Sequence, residues 1–363
     1  MENGPLDLID LSLNENPLGP SPEAMAAVGE ELARMHRYPD ASAAGLRQAL
    51  AERLRVEPEQ IVIGNGADNL IMQLCLATLD RDTEVIVSRS SFPVYDQFAE
   101  VMKARLIKVP LRAYRLDLDA MAHAIGERTR LVFVCNPNNP TGTIVTRTEV
   151  AAFLDRVPDR ALVVFDEAYA ELVASAEFPD TLATIRGGRP NVMVLRTFSK
   201  VYGLAGLRLG YGVAMASVLA PLEGVREPFA VNRLAQAAGL AALRDTAFLE
   251  KTVAATHEGR LFLYDAFDRL GLRFIESHTN FVLVELGPQA GAVSQRLLDA
   301  GIRVRPCDGY ELPHHLRVTV GDSAQNTRLV EALAKALRGG KACRDSSDPI
   351  RYGPCSNLTG GPP

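Results

Sequence analysis

The sequence lacks several features that mark particular classes of protein. It has no long run of basic residues and a formal net charge of −5, so it carries no electrostatic footprint for nucleic acid or for an anionic membrane. Nowhere do about eighteen apolar residues run together, and the acidic segment Met1 to Asp10 has neither the basic nor the apolar part of a signal peptide. We therefore expect a cytoplasmic protein that acts on small molecules.

Cysteine is also sparse and never forms a C-x-x-C pair. The five cysteines are odd in number and widely spaced, at positions Cys75, Cys135, Cys307, Cys343 and Cys355. This pattern argues against a disulfide framework and against a zinc site. We expect reduced thiols and no bound metal.

Lysine is also scarce, since only six of the 39 basic residues are lysines. One of them, Lys200, closes the segment R-T-F-S-K directly after an apolar run. A lysine kept where arginine is the usual cation indicates a site that needs an amine able to lose its proton. A desolvated, neutral amine can form an imine with a carbonyl substrate or with pyridoxal phosphate.

Short apolar runs alternate with segments of helical periodicity through the first two thirds of the chain. The runs lie at 61–63, 85–87, 131–134, 162–165 and 192–195. Such continuous runs are typical of strands buried on both faces, so the pattern predicts an α/β fold with a mostly parallel central sheet flanked by helices. We assign this large domain to residues 41–245.

A second, smaller α+β domain is predicted over residues 246–338. A long helix over 246–269 leads into it, followed by strands at 281–285 and 316–320 and by helices near 292–300 and 324–338. Residues 1–40 form an N-terminal segment expected to contact the site and a second subunit. Residues 339–363 are rich in Gly, Pro, Ser and Asp without periodicity, which predicts a disordered tail.

Polar motifs directly follow the apolar runs of the large domain. They are G-N-G at 64–66, N-P-N-N-P-T-G at 136–142, Asp166 and Ser199-Lys200. Ligands of open α/β sheets bind outside the carboxyl ends of the strands, so these motifs predict one site. Taken singly, each has a plainer interpretation: a glycine turn before a helix, an ordinary loop, or an aspartate that caps a helix.

Arg208 lies eight residues beyond Lys200 between glycine-rich, apolar flanks. A guanidinium binds phosphate oxygens in a bidentate manner, and the hydroxyls of Thr197 and Ser199 could add donors. The alternative is a surface arginine, which these flanks disfavour.

Eight motifs in their order carry a resemblance to a known family. They are N-E-N-P-L-G at 14–19, Y-P-D at 38–40, G-N-G-A-D-N at 64–69, F-P-V-Y at 92–95, N-P-N-N-P-T-G at 136–142, D-E-A-Y at 166–169, T-F-S-K with G-L-A-G-L-R at 197–208, and L-R-V-T-V-G at 316–321. From about residue 11 to 337 the chain resembles the fold-type I pyridoxal-phosphate aminotransferases, and among them the histidinol-phosphate aminotransferases. It departs from the usual motif at Ala67 and Asn69, where the family often has serine and glutamate.

The resemblance implies a role for each matching residue around pyridoxal 5'-phosphate. Lys200 would hold the cofactor covalently, Asp166 would pair with the ring nitrogen, Tyr169 and Asn139 would bind the ring hydroxyl oxygen, and Tyr95 would stack on the ring. The cofactor's phosphate would be bound by the following groups: the backbone of Ala67 and Asp68, the side chains of Thr197, Ser199 and Arg208, and Tyr38 of the other subunit of a homodimer.

Arg305, Arg317 and Asn14 match the family's substrate-binding positions. The implied reaction transfers an amino group between histidinol phosphate and 2-oxoglutarate in histidine biosynthesis, with small-molecule amino donors and keto-acid acceptors as partners. Other readings stay open at this point: an aromatic amino-acid aminotransferase, an aminotransferase of a specialised pathway, a decarboxylase or lyase such as one acting on threonine phosphate, or a non-enzymatic binding module.

Overall fold

The structure is a computed structural model that describes residues 8–338. The predicted tail over 339–363 lies outside the described residues. In the described part, the strands are β1 (Ile9–Leu11), β2 (Ile61–Gly64), β3 (Glu84–Ser88), β4 (Arg105–Val109), β5 (Thr129–Cys135), β6 (Leu162–Asp166), β7 (Val192–Thr197), β8 (Gly210–Ala214), β9 (Arg273–Ile275), β10 (Phe281–Glu285), β11 (Ile302–Pro306) and β12 (His315–Thr319).

Helices connect these strands. They are α1 (Pro22–Leu32), α2 (Ala44–Leu54), α3 (Ala67–Thr78), α4 (Val94–Val101), α5 (Leu118–His123), α6 (Arg147–Leu154), α7 (Thr181–Arg186), α8 (Ala216–Glu223), α9 (Arg233–Arg244), α10 (Thr246–Arg269), α11 (Ala290–Asp299) and α12 (Ser323–Arg338). Several of them begin at a side-chain cap: Asp245, for example, accepts a hydrogen bond from the amide of Phe248 at 3.0 Å at the start of α10.

The larger sheet has seven strands in the order β2-β8-β7-β6-β5-β3-β4. The five strands β7, β6, β5, β3 and β4 run parallel, and β8 is antiparallel to both of its neighbours. Helices cover both faces, so central residues such as Val163 and Val164 are fully buried against opposite apolar layers. This arrangement confirms the predicted mostly parallel sheet.

A second sheet has five strands in the order β1-β11-β12-β10-β9. It packs its apolar face against α10, α11 and α12. The long helix, β10, β12, α11 and α12 lie close to their predicted positions, whereas β1, β9 and β11 were not predicted. Because β1 pairs in parallel with β11, the N-terminal segment is anchored to this sheet.

The parallel strands β5, β6 and β7 end at the same edge of the larger sheet. Asn136 begins the proline-rich loop there, and its amide donates to the carbonyl of Asp166 at 2.9 Å. The far end of this loop contacts the segment between β9 and β10, because the carbonyl of Gly142 accepts a hydrogen bond from the amide of His278 at 2.8 Å. Polar residues that are far apart in sequence therefore meet at one edge, as expected for a parallel sheet.

Within residues 8–338, the helices are each too short or too polar to cross a membrane. The same residues contain no group of three His, Cys, Asp or Glu side chains arranged to hold a metal ion.

Gly203 provides a test of how the N-terminal segment is packed. It adopts φ +68°, and a Cβ there would overlap the carbonyl oxygen of Gly19. Gly271 has the same φ of +68° but open space around it. We expect Gly203→Ala to lower the free energy of unfolding by about 2–5 kcal/mol and Gly271→Ala by about 1–2 kcal/mol, because only the first adds steric overlap to backbone strain. Equal losses in denaturant titrations would contradict the contact with Gly19.

Candidate active site

One cavity of about 520 Å³ opens at the carboxyl edge of the larger sheet and is bordered by the second sheet. Twelve of the fourteen predicted site residues line it. They are Asn14, Ala67, Asp68, Asn139, Asp166, Tyr169, Thr197, Ser199, Lys200, Arg208, Arg305 and Arg317. The sequence therefore predicted most of the wall of a single site, and the two exceptions are Tyr95 and Tyr38.

The start of α3 forms an anion-binding corner of this cavity. No side chain caps this helix, whose N-cap is Gly66 at φ +86°, so the first amides are free to bind an anion. The Arg208 guanidinium lies over the same turn, 3.4 Å from the Asp68 carboxylate. A Cβ on Gly66 would come within 2.6 Å of that guanidinium, so the glycine leaves the space that Arg208 uses.

This corner fits the phosphate of the predicted cofactor. Thr197 and Ser199 line the same cavity as the free amides and the guanidinium. Asn69, one of the departures from the family motif, accepts hydrogen bonds from the amide of Asn65 at 3.3 Å and from Gln73 at 3.0 Å. Its side chain thus steadies the loop that precedes the helix.

Asp166 is a buried carboxylate at the end of β6. Burial raises its pKa from the ordinary 3.8 to about 6, although the hydrogen bond from Tyr95 opposes this change. The Tyr95 hydroxyl donates to Oδ2 at 2.6 Å, and the amide of Ala168 donates to Oδ1 at 3.2 Å. No α-helix begins at this residue, so the helix-cap interpretation fails. The carboxylate instead suits a protonated ring nitrogen, which would offset the cost of its burial.

Lys200 reaches the same cavity from the turn after β7. Its Nζ lies 3.3 Å from the carbonyl oxygen of Leu13 and 5.9 Å from the centre of the Tyr169 ring. Burial, together with the positive charge of Arg317, lowers the pKa of Lys200 from 10.5 to about 8. A substantial fraction of the amine is therefore neutral near physiological pH and can attack a carbonyl carbon.

Arg317 on β12 is held rigidly in the second sheet's wall of the cavity. It donates to the Asn139 side chain at 2.5 Å, to the Tyr310 hydroxyl at 3.1 Å and to the carbonyl of Ser12 at 2.6 Å. Among the described residues no carboxylate pairs with it. Arg305 is its partner across β11 and β12 and is exposed. The two cations are therefore available for an anionic substrate group.

Asn14 links the N-terminal segment to the cavity floor. Its side-chain amide donates to the Tyr169 hydroxyl at 2.9 Å, and its backbone amide donates to Thr319 Oγ1 at 3.0 Å. Tyr169 therefore already has a partner for its hydroxyl, and burial raises its pKa. Because it stays protonated, the Tyr169 hydroxyl can also donate to a ligand oxygen.

Tyr95 corrects the prediction that it stacks on the cofactor ring. Its ring is buried beneath the strand ends and stacks on Phe133, with centroids 4.5 Å apart and planes at 9°. Phe92 lines the cavity instead. Helix α4 begins at Val94 and turns Tyr95 inward, while Phe92 stays in the loop before it. The position of Phe92 directly before Pro93, and so before the start of α4, was the sequence signal that could have identified it as the aromatic residue of the cavity wall.

Tyr38 does not line this cavity. It is 78% exposed, and its ring stacks on Phe229 with centroids 4.6 Å apart. Its predicted role in a second subunit's site therefore stays a prediction.

A buried ion pair behind the cavity was missed in the sequence. Arg196 donates to one carboxylate oxygen of Glu167 through Nε at 3.1 Å and Nη2 at 2.8 Å, and Thr181 donates to the other. Each partner follows or precedes a site residue, so the pair ties the ends of β6 and β7 together. Finding it requires knowledge that β6 and β7 are neighbours, which no local sequence pattern gives.

Comparison with known proteins identifies the family. The family model for aminotransferase class I and II matches residues 7–333. The chain is 47% identical over 336 residues to a histidinol-phosphate aminotransferase of Moorella thermoacetica, an alignment that covers 93% of this chain and 87% of that protein. This chain belongs to the class I and II aminotransferases. Fold class, enzyme class and dependence on pyridoxal phosphate, all predicted above, are thereby confirmed.

Solved structures agree with this placement. A histidinol-phosphate aminotransferase of Sinorhizobium meliloti, in complex with pyridoxal-5'-phosphate, has a TM-score of 0.86 at 31% identity and covers 92% of this chain and 91% of its own. An L-threonine-O-3-phosphate decarboxylase of Porphyromonas gingivalis has a TM-score of 0.81 at 25% identity, covering 91% of this chain and 100% of its own. The fold is therefore shared by enzymes that carry out different reactions.

Asp166→Asn tests the burial of this carboxylate without added cofactor. Because the folded pKa is raised, the folded chain binds more protons than the unfolded chain between pH 3.8 and about 6, and its stability falls as pH rises through that window. The variant lacks this loss. We expect its stability relative to the parent to increase by on the order of 3 kcal/mol from pH 4 to pH 7.

The measurement is denaturant unfolding at several pH values, with the exposed Asp159→Asn as the control. A stability difference between Asp166→Asn and the parent that does not change with pH would show that burial does not raise the pKa of this carboxyl group.

Proposed function

We propose that the protein transfers an amino group between histidinol phosphate and 2-oxoglutarate with pyridoxal phosphate as cofactor. The observation that carries this assignment is that one cavity joins two anion-binding groups with a lysine amine of lowered pKa. The start of α3 with Arg208 supplies the first group, and Arg305 with Arg317 supplies the second. The first suits the cofactor's phosphate and the second suits a substrate anion. The relatives named above support the choice of substrate.

The second anion-binding group explains how one site takes both partners. Histidinol phosphate carries a phosphate and 2-oxoglutarate carries a distal carboxylate, so each presents an anion at a distance from its reacting carbon. Arg317 is fixed by three hydrogen bonds before any ligand binds, which lowers the entropic cost of ordering it. Arg305 is exposed and can adjust to either anion.

When bound, pyridoxal phosphate supplies an electron-withdrawing ring that acidifies the carbon bearing the substrate's amino group. Lys200 Nζ would accept the proton from that carbon and deliver it to the cofactor's carbonyl-derived carbon, on the other side of the amino nitrogen. Such positioned proton transfer typically contributes about 10²–10⁴-fold to the rate. Asp166 holds a buried negative charge for the ring nitrogen, while Tyr169 and Asn139 offer hydrogen bonds to the ring oxygen. Phe92 covers the ring from the loop before α4.

Substrate choice is tested by a single half-reaction. Purified protein saturated with pyridoxal phosphate is mixed with histidinol phosphate without any keto acid, and the near-visible absorption of the bound cofactor is followed. We expect complete conversion of the bound cofactor to its amine form. Phenylalanine and tyrosine should react at least roughly a hundredfold more slowly, because they bring no phosphate to the two arginines.

Each other outcome points to a named alternative. Faster conversion by phenylalanine or tyrosine would indicate an aromatic amino-acid aminotransferase. Release of carbon dioxide from threonine phosphate would indicate a decarboxylase. No conversion by any of these donors, with the cofactor bound, would favour an amino donor of a specialised pathway.

We further propose a cytoplasmic homodimer in which Tyr38 of one subunit binds the cofactor's phosphate in the other. Support for the dimer comes from the surface around this residue: Leu32, Met35, Tyr38 and Phe229 are all exposed, although large apolar side chains favour burial. Support for the compartment comes from the proposed substrates, which are soluble metabolites, and from the three described cysteines, which are buried and unpaired.

Subunit complementation tests the shared site. Lys200→Ala and Tyr38→Ala are each expected to be nearly inactive as homodimers. If Tyr38 crosses the interface, a mixed dimer has one site with both changes and one with neither. Unfolding and refolding an equal mixture should restore about a quarter of the parent activity, since half of the dimers are mixed and each has one intact site. No recovery, with mixed dimers shown to form, would place Tyr38 in its own subunit's site.

A further inference from the structure

Tyr95 is a buried tyrosine whose hydroxyl has one clear partner, the carboxylate of Asp166. The two atoms lie 2.6 Å apart, within the range of a strong hydrogen bond to an ionised oxygen. The Tyr95 ring is held on one face by Phe133, at 4.5 Å and 9°, and meets Phe92 edge-on at 5.6 Å. The hydroxyl therefore has little freedom to move away.

We propose that Tyr95 is a positioning residue, whose hydroxyl holds the Asp166 carboxylate ionised and in one orientation at the place where it meets the cofactor's ring nitrogen. The packing of the ring alone does not require a tyrosine, because phenylalanine has the same shape there. What the hydroxyl adds is a donor to Oδ2, while the amide of Ala168 donates to Oδ1. Both carboxylate oxygens are thus fixed by the protein before any ligand binds.

The charged and titratable surroundings of Asp166 make this donor important. Asp68 from α3 and the neighbouring Glu167 both raise its pKa, and so disfavour ionisation. Cys135 on β5 and Tyr169 face the same carboxylate, and burial raises the pKa of each. Among the described side chains around Asp166, Tyr95 makes the largest contribution toward a lower pKa. Its loss should therefore favour the protonated acid.

The first test uses the full-length chain without added cofactor. The variant is Tyr95→Phe, and the readout is the pH dependence of its free energy of unfolding. Since a hydrogen bond to a charged group favours the ionised form, its loss should make protonation of Asp166 on the order of ten- to a hundredfold more favourable. The pH window in which stability falls should then extend upward from about 6 by about one unit or more.

Repeating the change in an Asp166→Asn background isolates the coupling. There Tyr95→Phe should alter stability by the same amount at every pH, because no carboxyl group titrates. A purely structural role for Tyr95 would instead give the same pH-independent loss in both backgrounds.

The second test measures the dissociation constant of pyridoxal phosphate, and only this arm rests on the proposed function. Near pH 6.5, Tyr95→Phe should weaken binding roughly tenfold, since more of Asp166 is protonated. The defect should shrink as pH rises and the carboxylate ionises in both proteins.

Tyr264→Phe is the matched control. Tyr264 stacks on Phe274 at 4.6 Å and 11° and accepts a hydrogen bond from the amide of Ser277 at 2.6 Å, but it belongs to α10 and touches no site residue named above. It should leave both pH dependences unchanged. Identical pH profiles for Tyr95→Phe and the parent would overturn the proposal. If the cofactor fails to bind even the parent while the first test succeeds, the proposed function fails and the link between Tyr95 and Asp166 stands.

Discussion

The burial of the Asp166 carboxylate is the constraint on which the site depends. A negative charge at the end of a parallel strand, with the pKa raised to about 6, is unfavourable without a partner. The chain provides a donor in Tyr95 and an open position in the cavity, and a protonated ring nitrogen in that position would complete the compensation. Lys200 follows the complementary rule: burial drives its amine toward the neutral, nucleophilic form.

The second sheet contributes the two arginines proposed to bind the substrate, and the N-terminal segment joins this sheet to the residues proposed to bind the cofactor. Strand β1 pairs with β11, the carbonyl of Ser12 accepts a hydrogen bond from Arg317, and Asn14 reaches the Tyr169 hydroxyl. Arg317 in turn bonds to Asn139 on the proline-rich loop. The groups proposed to bind substrate and cofactor therefore share one hydrogen-bond network, so a change in the N-terminal segment should alter the binding of both.

Much of this site could be read from the sequence because parallel strands bring their carboxyl ends together. Once apolar runs marked the strands, the polar residues that follow them were expected to converge, and Lys200, Asp166 and Asn139 do. Tyr95 and Phe92 were harder to tell apart, since the start of α4 decides which aromatic faces the cavity. The Glu167–Arg196 pair and the pairing of β1 with β11 depend on contacts between distant segments. The hydrophobic periodicity of a sequence does not predict contacts of this kind.

The most direct test of the account is to identify the residue that carries the cofactor. Protein loaded with pyridoxal phosphate is treated with borohydride, which makes the link to the amine permanent, and is then digested and analysed by mass spectrometry. The account predicts one modified peptide, containing Lys200. A modification at another lysine, or none after saturating cofactor, would contradict the assignment of this cavity as the active site.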